Sequence, residues 1–266
     1  MDASVIAALI TAGASLVVAA AGVVLAVRDR RRTEQLATVQ QEHQTDLVRL
    51  KAELEREARQ EERQLTARFE LDRAREPLLA AALDLAHRLN NIRHELFLDA
   101  YMTTEGEHRS DVARTSTLYR LGRYWCIVEL LYDRVALQQI LAEDATKSVG
   151  RSLRDIGRTF ATDKYDSGRF MMWREEQRAI AELMRADGSE LGGIGYATFV
   201  ARYPRLFSPW FASFVQDLQP AAARASQRFE GLQYLLARLV RQLDVNGLHQ
   251  DECEKLEAAS SPPPFP

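Results

Sequence analysis

The chain has 266 residues, of which 46% are apolar and 27% are charged, and its formal net charge is -3. This near-balance of charge excludes general nucleic-acid binding, which needs a basic excess on one face. Two cysteines exclude a disulfide-stapled scaffold and fit a reducing compartment. Because Ala, Leu, Arg and Glu dominate while Gly and Pro are scarce, the composition predicts an all-α protein.

Residues 1–27 have the composition of a transmembrane anchor. From Ser4 to Val27 no charged residue occurs, and about 24 residues span about 36 Å as a helix, enough to cross the hydrocarbon core. Arg28 and Arg30–Arg32 follow, and such flanks stay in the cytoplasm, so we expect a single-pass protein with its N-terminus outside. A cleaved signal peptide is the main alternative, but it needs a positive n-region and a shorter apolar stretch. A buried core helix would leave the arginines unexplained.

Within the predicted anchor, small residues recur at intervals of three and four and fall on one helix face. They are Ser4, Ala8, Ala12, Ser15, Ala19, Gly22 and Ala26. Small residues let helix backbones approach closely in lipid, where packing drives association. The stripe therefore predicts self-association, with chance in an Ala-rich span as the alternative.

Residues 28–76 are predicted to form a charged helical stalk, because they lack Pro and Gly and are rich in Arg, Glu, Gln and Leu. As one unbroken helix the stalk would be about 70 Å long. Its apolar positions follow an eleven-residue period, typical of a nearly straight or slightly right-handed coiled coil. Leu47, Leu50 and Leu54, here called the leucine seam, are its most apolar block. We expect an oligomeric stalk, with a solvated single helix held by charge pairs as the alternative.

Residues 77–247 are predicted to form a cytoplasmic helical bundle. It begins at a joint at Glu76 and Pro77, because proline breaks a helix that precedes it. The first helix carries an apolar stripe on one face. That stripe is Leu78, Ala82, Leu85, Leu89, Ile92 and Leu96. The next long helix is apolar on nearly every side from Tyr124 to Tyr132, which predicts a central position in the bundle.

Shorter predicted helices complete the bundle, and no alternating strand pattern occurs. They cover residues 145–160, 170–185, 196–203 and 208–218, and a long final helix opens at Pro220 and closes near Asp244. The Gly-rich segment GSELGGIG is predicted to be a turn between helices. Residues 248–266 end in SSPPPFP, which predicts a tail that is disordered or at most transiently helical.

Three segments resemble a group of uncharacterised, membrane-anchored helical proteins from high-GC actinobacteria. These segments are STLYRLGRYWCIVELLYDR, FMMWREEQRAIAELM and IGYATFVARY. The resemblance covers about Glu76 to Gly247. It implies a bacterial source and a plasma-membrane location, and it implies no activity or substrate.

Glu129 is the candidate functional residue, because it lies alone among apolar neighbours in YWCIVELLY. A buried carboxylate must pair or take up a proton. We expect a structural ion pair with an arginine such as Arg178 or Arg202, and a functional carboxylate with a raised pKa is the alternative. On the same helix, burial should raise the thiol pKa of Cys126 and make it a poor nucleophile.

Other candidates are weaker. His87, Asn91 and His94 share a helix face, but that face is opposite the apolar stripe and should meet solvent. Trp210 and Phe211 in RLFSPWFASF either cap the bundle or anchor a partner. The sequence has no P-loop, CxxC or HExxH motif. We therefore expect no catalytic residue, metal site or cofactor.

The leading hypothesis is a non-enzymatic interaction or scaffold protein of the bacterial inner membrane. It would be tethered in the lipid bilayer, self-associate as a homo-oligomer and bind a cytoplasmic protein partner. The alternative is a membrane effector of the phage-defence type, whose cytoplasmic domain senses a signal and opens a leak. The span has no ionisable residue to line a pore, which counts against a selective channel. An enzyme is the least favoured class.

Overall fold

The computed structural model describes residues 3–102, 106–135, 144–186 and 193–264, and for most of residues 3–40 it describes the main chain alone. These described residues form helices and no β-sheet, which confirms the all-α prediction. The chain divides into two compact units, Met1–Glu61 and Glu62–Pro266. The helices are α1 (Ala3–His94), α2 (Phe97–Met102), α3 (Glu107–Arg134), α4 (Asp144–Ala161), α5 (Arg174–Leu183), α6 (Tyr196–Arg202), α7 (Ser208–Asp217), α8 (Pro220–Arg224), α9 (Gln227–Leu243) and α10 (Gln250–Ala258).

The predicted anchor forms the beginning of α1. No helix in the described part of the chain is long and apolar enough to cross a membrane. From Ser4 to Val27 the structure describes the exposure of Gly22 and Leu25 alone, and both are exposed. The side chains of the other members of the small-residue stripe lie outside the described part of the chain. The anchor and its association face therefore stay predictions without structural support.

The predicted apolar stripe of α1 lies in the core of the second unit. Its members from Leu78 to Ile92 are at most 2% exposed, which confirms that part of the stripe. Leu96 is the exception, because α1 ends at His94. Leu96 has a φ of +55° and is 48% exposed, so it belongs to the connection to α2.

The predicted joint at Pro77 is wrong, since α1 continues through this proline. A proline inside a helix removes one hydrogen bond and crowds the preceding turn, at a cost of about 3 kcal/mol. Leu71 and Ala74 before the proline are buried in the same core as Leu78 after it. Burial on both sides holds the helix together, and the second unit begins at Glu62.

Helices α3 and α9 supply the centre of the bundle. Residues Tyr124–Val128 of α3 are buried, as their all-round apolar pattern predicts. Trp125 packs edge-on against Phe160 of α4 at 5.1 Å between ring centroids and stacks on Phe211 of α7 at 6.2 Å. Helix α9 packs against α4 and α10, and α3 packs against α5.

The C-terminal region differs from its prediction in two ways. The predicted final helix is divided into α8 and α9, because Ser226 takes an extended conformation and its Oγ accepts a hydrogen bond from the Phe229 N–H at 3.1 Å. Predicted disorder after residue 247 is wrong for α10. Cys253 and Leu256 lie one turn apart and are buried in the core, which gives this short polar helix an apolar face.

Candidate functional site

Glu129 of α3 lies beside two arginines of α5. The Arg178 Nε lies 3.6 Å from Glu129 Oε2, and the Arg174 Nη2 lies 4.0 Å from Glu129 Oε1. The carboxylate side chain is only 13% exposed, and burial raises its pKa while both arginines oppose that rise. Arg178 is one of the partners predicted from the sequence, whereas Arg202 is exposed on α6.

Helix α4 leaves room for the Arg174 side chain beside Glu129. Gly157 of α4 faces this arginine so closely that a Cβ at position 157 would collide with the guanidinium. The Arg174 Nη1 also donates to Gln177 Oε1 at 3.2 Å. Burial raises the pKa of the nearby Tyr132 phenol to about 12, so this hydroxyl stays neutral. Glu129, Arg174 and Arg178 therefore form a structural ion-pair cluster that joins α3 to α5.

Cys126 behaves as a structural group, and of the predicted solvent face only His94 is exposed, while His87 and Asn91 are half-buried. Burial raises the thiol pKa of Cys126 to about 11, as predicted for a cysteine in an apolar helix. His94 is exposed, and its Nε2 lies 2.9 Å from the carbonyl oxygen of Ala259. No group of three or more potential ligands in the described residues is arranged to hold a metal ion.

Trp210 and Phe211, in the aromatic segment after α6, differ in their exposure. Phe211 is fully buried, while Trp210 next to it is exposed. Phe211 therefore packs into the bundle and is not an exposed anchor, while the role of Trp210 stays a prediction.

The leucine seam lies on the surface of the first unit. Leu47, Leu50 and Leu54 are 65%, 53% and 56% exposed. An ion pair along the same helix, Arg59 Nη2 to Glu55 Oε2 at 3.1 Å, is of the kind that also stabilises a solvated single helix. The exposure of the seam is thus compatible with both predicted forms of the stalk.

Arg228 is a buried residue that sequence reasoning missed. Its side chain is fully buried at the start of α9 and donates to main-chain carbonyls around the end of α4. Nη2 donates to Thr162 O at 2.7 Å and Nη1 to Phe160 O at 3.1 Å. Nε donates to Arg169 O at 3.0 Å. The guanidinium therefore closes the C-terminal end of α4, a structural role.

A cleft in the second unit, here called the arginine cleft, lies between α1, α2 and α3 and has a volume of about 430 Å³. Three arginines and a histidine line it, and none of its lining residues in the described part of the chain is a carboxylate. The polar lining consists of Arg88, His108, Arg109, Ser116 and Arg120, and the apolar lining is led by Phe97, Tyr101 and Val112. Such a cleft falls within the usual size of a small-molecule site.

Arg88 is the unusual member of this cleft. It is only 8% exposed, and its Nη1 is buried without a hydrogen-bond partner among the described residues. The guanidinium stacks on the Phe97 ring at 3.8 Å from the centroid. Burial and the charge of Arg120 lower the Arg88 pKa to about 10. Asp84 favours the charge, but its carboxylate already accepts a hydrogen bond from Arg123 at 3.0 Å.

No protein-family model, curated protein or solved structure matches this chain.

Proposed function

We propose that this chain is a membrane-tethered, non-enzymatic interaction protein of the bacterial inner membrane. It self-associates through the predicted anchor and the stalk, and its bundle binds a cytoplasmic protein partner. The observation that supports self-association best is the exposed leucine seam. Burying a leucine side chain is worth about 1.5–3 kcal/mol, so covering the seam with a second copy provides a driving force for assembly.

The repeat in which the leucine seam lies favours a second copy of this chain as its binding partner. The seam lies in an eleven-residue repeat, and identical helices can align such repeats in register. The predicted small-residue stripe precedes the seam with a similar spacing. One association face can therefore run through both segments.

The oligomeric state is tested by light scattering on the full-length protein in mild detergent and on a shortened chain that begins at Glu62. This starting point keeps Ala67, Leu71 and Ala74, which are buried in the bundle. We expect the full-length protein to be a defined oligomer and the shortened chain to be a monomer. Monomers in both cases contradict the proposal.

Substitutions in the seam give a second test with full-length protein. Leu50→Glu places a charge in the seam, and we expect it to reduce the measured mass toward that of the monomer. Val48→Glu is the matched control, because Val48 is also exposed on the same helix but lies off the seam. If both substitutions leave the mass unchanged, the leucines do not form the contact.

Membrane attachment is tested by fractionation. We expect the full-length protein in the membrane fraction after washing with high salt, and the chain that begins at Glu62 in the soluble fraction. Release of the full-length protein by salt contradicts an anchor.

The second candidate function is a membrane effector that its cytoplasmic domain controls. The arginine cleft favours it, because the bundle then contains a place where a signal molecule can bind. Overexpression distinguishes the two functions. An effector causes growth arrest and ion leakage that Gly22→Leu abolishes, whereas a scaffold leaves the membrane potential intact.

A further inference from the structure

We infer that the arginine cleft binds a small organic phosphate that carries a planar ring. Arg88 and Arg120 hold the phosphate, and Tyr101 stacks on the ring. This site lies wholly within the second unit and does not depend on self-association or on a membrane anchor.

The unsatisfied charge of Arg88 is the first argument. A buried cation that lacks hydrogen bonds and a counter-ion costs several kcal/mol, and proteins normally pair such groups. Among the described residues Arg88 has a ring beneath it and no hydrogen bond, while the nearby carboxylate of Asp84 is shared with Arg123. An anion in the cleft would supply the missing counter-charge.

The charges around Arg88 point to an anion with more than one acceptor oxygen. Arg88 and Arg120 line the same cleft and repel each other, and the pKa of Arg88 is lowered although Tyr196 and Asp84 oppose this. The Arg120 Nη1 donates to Ser116 O at 3.1 Å, which leaves the other N–H groups of Arg120 for a ligand. Guanidinium groups bind phosphate through paired N–H donors. A phosphate dianion, with its greater charge and more acceptor oxygens, therefore matches two or three arginines better than a ligand with a single carboxylate does.

The remaining walls suit an aromatic ring. Tyr101 and Val112 are both more than 40% exposed, and both line the cleft. Phe97 contacts the guanidinium of Arg88 and also the ring of Tyr101, with 5.1 Å between the two ring centroids. Tyr101 is therefore held in place while part of its surface stays open to a flat ligand. Planar rings stack favourably on such a surface.

Calorimetric titration of the full-length protein in mild detergent tests this inference, with AMP, adenosine and inorganic phosphate as probes. We expect AMP to bind, inorganic phosphate to compete with it, and adenosine to bind at least about tenfold more weakly, since charge-assisted hydrogen bonds are lost. Soluble dihexanoyl phosphatidylglycerol separates a small phosphate ester from a lipid headgroup.

Arg88→Met is the decisive variant, because methionine keeps an unbranched apolar side chain beside Phe97. It should weaken AMP binding at least about tenfold, and its melting temperature without ligand should not fall, since an unpaired buried charge is removed. Arg114→Met is the matched control on α3, because Arg114 pairs with Asp111 away from the cleft lining. Tyr101→Ala should weaken AMP binding more than binding of inorganic phosphate.

Four results would overturn the inference. They are the absence of binding by both AMP and inorganic phosphate at millimolar concentration, equal binding by Arg88→Met, equal binding of adenosine and AMP, and binding of the lipid without binding of AMP.

Discussion

Arg228 links two helix ends, because it lies in the first turn of α9 and its guanidinium binds the end of α4. A cation in the first turn of a helix is unfavourable, because the N-terminus already carries a partial positive charge. Here Asp166 offsets it by accepting hydrogen bonds from the N–H groups of Gln227 and Arg228, at 3.0 and 3.2 Å. The guanidinium in turn binds carbonyls at the end of α4, where a positive charge is favourable. Burial lowers the Arg228 pKa, and the charge of Asp166 opposes this.

The first prediction concerns Arg228→Lys. Lysine cannot reach several separate carbonyls at once, so buried acceptors lose their donors. We expect the free energy of unfolding to fall by about 3 kcal/mol or more, measured by urea denaturation. Arg238→Lys on the exposed face of α9 is the control and should change stability by less than about 0.5 kcal/mol. A loss as small as that of the control would show that the guanidinium network is dispensable.

The second prediction concerns the pH dependence that Glu129 imposes. Its folded-state pKa is raised above the ordinary value of 4.5 by burial, against the opposing effects of Arg174 and Arg178. Between the two pKa values the folded chain keeps a proton that the unfolded chain has lost, so the free energy of unfolding falls as pH rises. Glu129→Gln removes this decline and leaves a flatter pH profile.

Urea denaturation at a series of pH values from 4 to about 7.5 measures the effect of Glu129→Gln. The control is Glu175→Gln, at an exposed position of α5. If the stability of the unmodified protein relative to Glu129→Gln instead rises with pH, the attraction of Arg174 and Arg178 outweighs burial.

At residue scale, the sequence predicts burial well and partners poorly. Periodic spacing places Leu78, Leu85 and Leu89 on one face, and all three lie in the core. Glu129 could be identified because a charge within an apolar run is conspicuous. Arg88 and Arg228 could not, because each has a polar residue directly before it, His87 or Gln227, so its charge does not stand out in the sequence. Their burial arises only when other helices cover them.

At the scale of elements, the errors occur where tertiary burial overrides a local signal. Pro77 and the polar segment at residues 250–258 both predict an interruption. In the first case apolar contacts on both sides of the proline keep α1 continuous. In the second, Cys253 and Leu256 supply the buried apolar contacts of the helix, and Gln233 of α9 donates to Leu256 O at 2.9 Å. The core that buries these segments is built from helices distant in the sequence. A local stretch of sequence therefore does not reveal it.

The element that the sequence overestimated is the final helix. Its pattern is helical from Pro220 onward, yet α8 ends at Arg224 and Ser226 caps α9. Serine is a good N-cap because its hydroxyl accepts from the N–H groups of the first turn. Asp166, about sixty positions earlier in the chain, supports the same break by accepting from Ser226 Oγ at 2.5 Å. A long-range hydrogen bond thus selects the cap, and the sequence around Ser226 does not reveal it.

At the scale of the whole molecule, the position of the division between the two units has a measurable consequence. The sequence places the start of the bundle at residue 77, whereas the structure places it at Glu62. Residues between these positions contribute Ala67, Leu71 and Ala74 to the core. Glu70 adds an ion pair with Arg134 at 3.0 Å.

We therefore expect a chain that begins at Pro77 to be less stable than one that begins at Glu62, by on the order of 4 kcal/mol, as measured by urea denaturation. In the longer chain, Leu71→Ala should account for about 2–3 kcal/mol of this difference, because Leu71 is buried. Leu65→Ala in the same chain is the control and should have almost no effect, since Leu65 is exposed. Equal stability of the two chains would place the boundary at the proline after all, and the residues before it would then pack without stabilising the bundle.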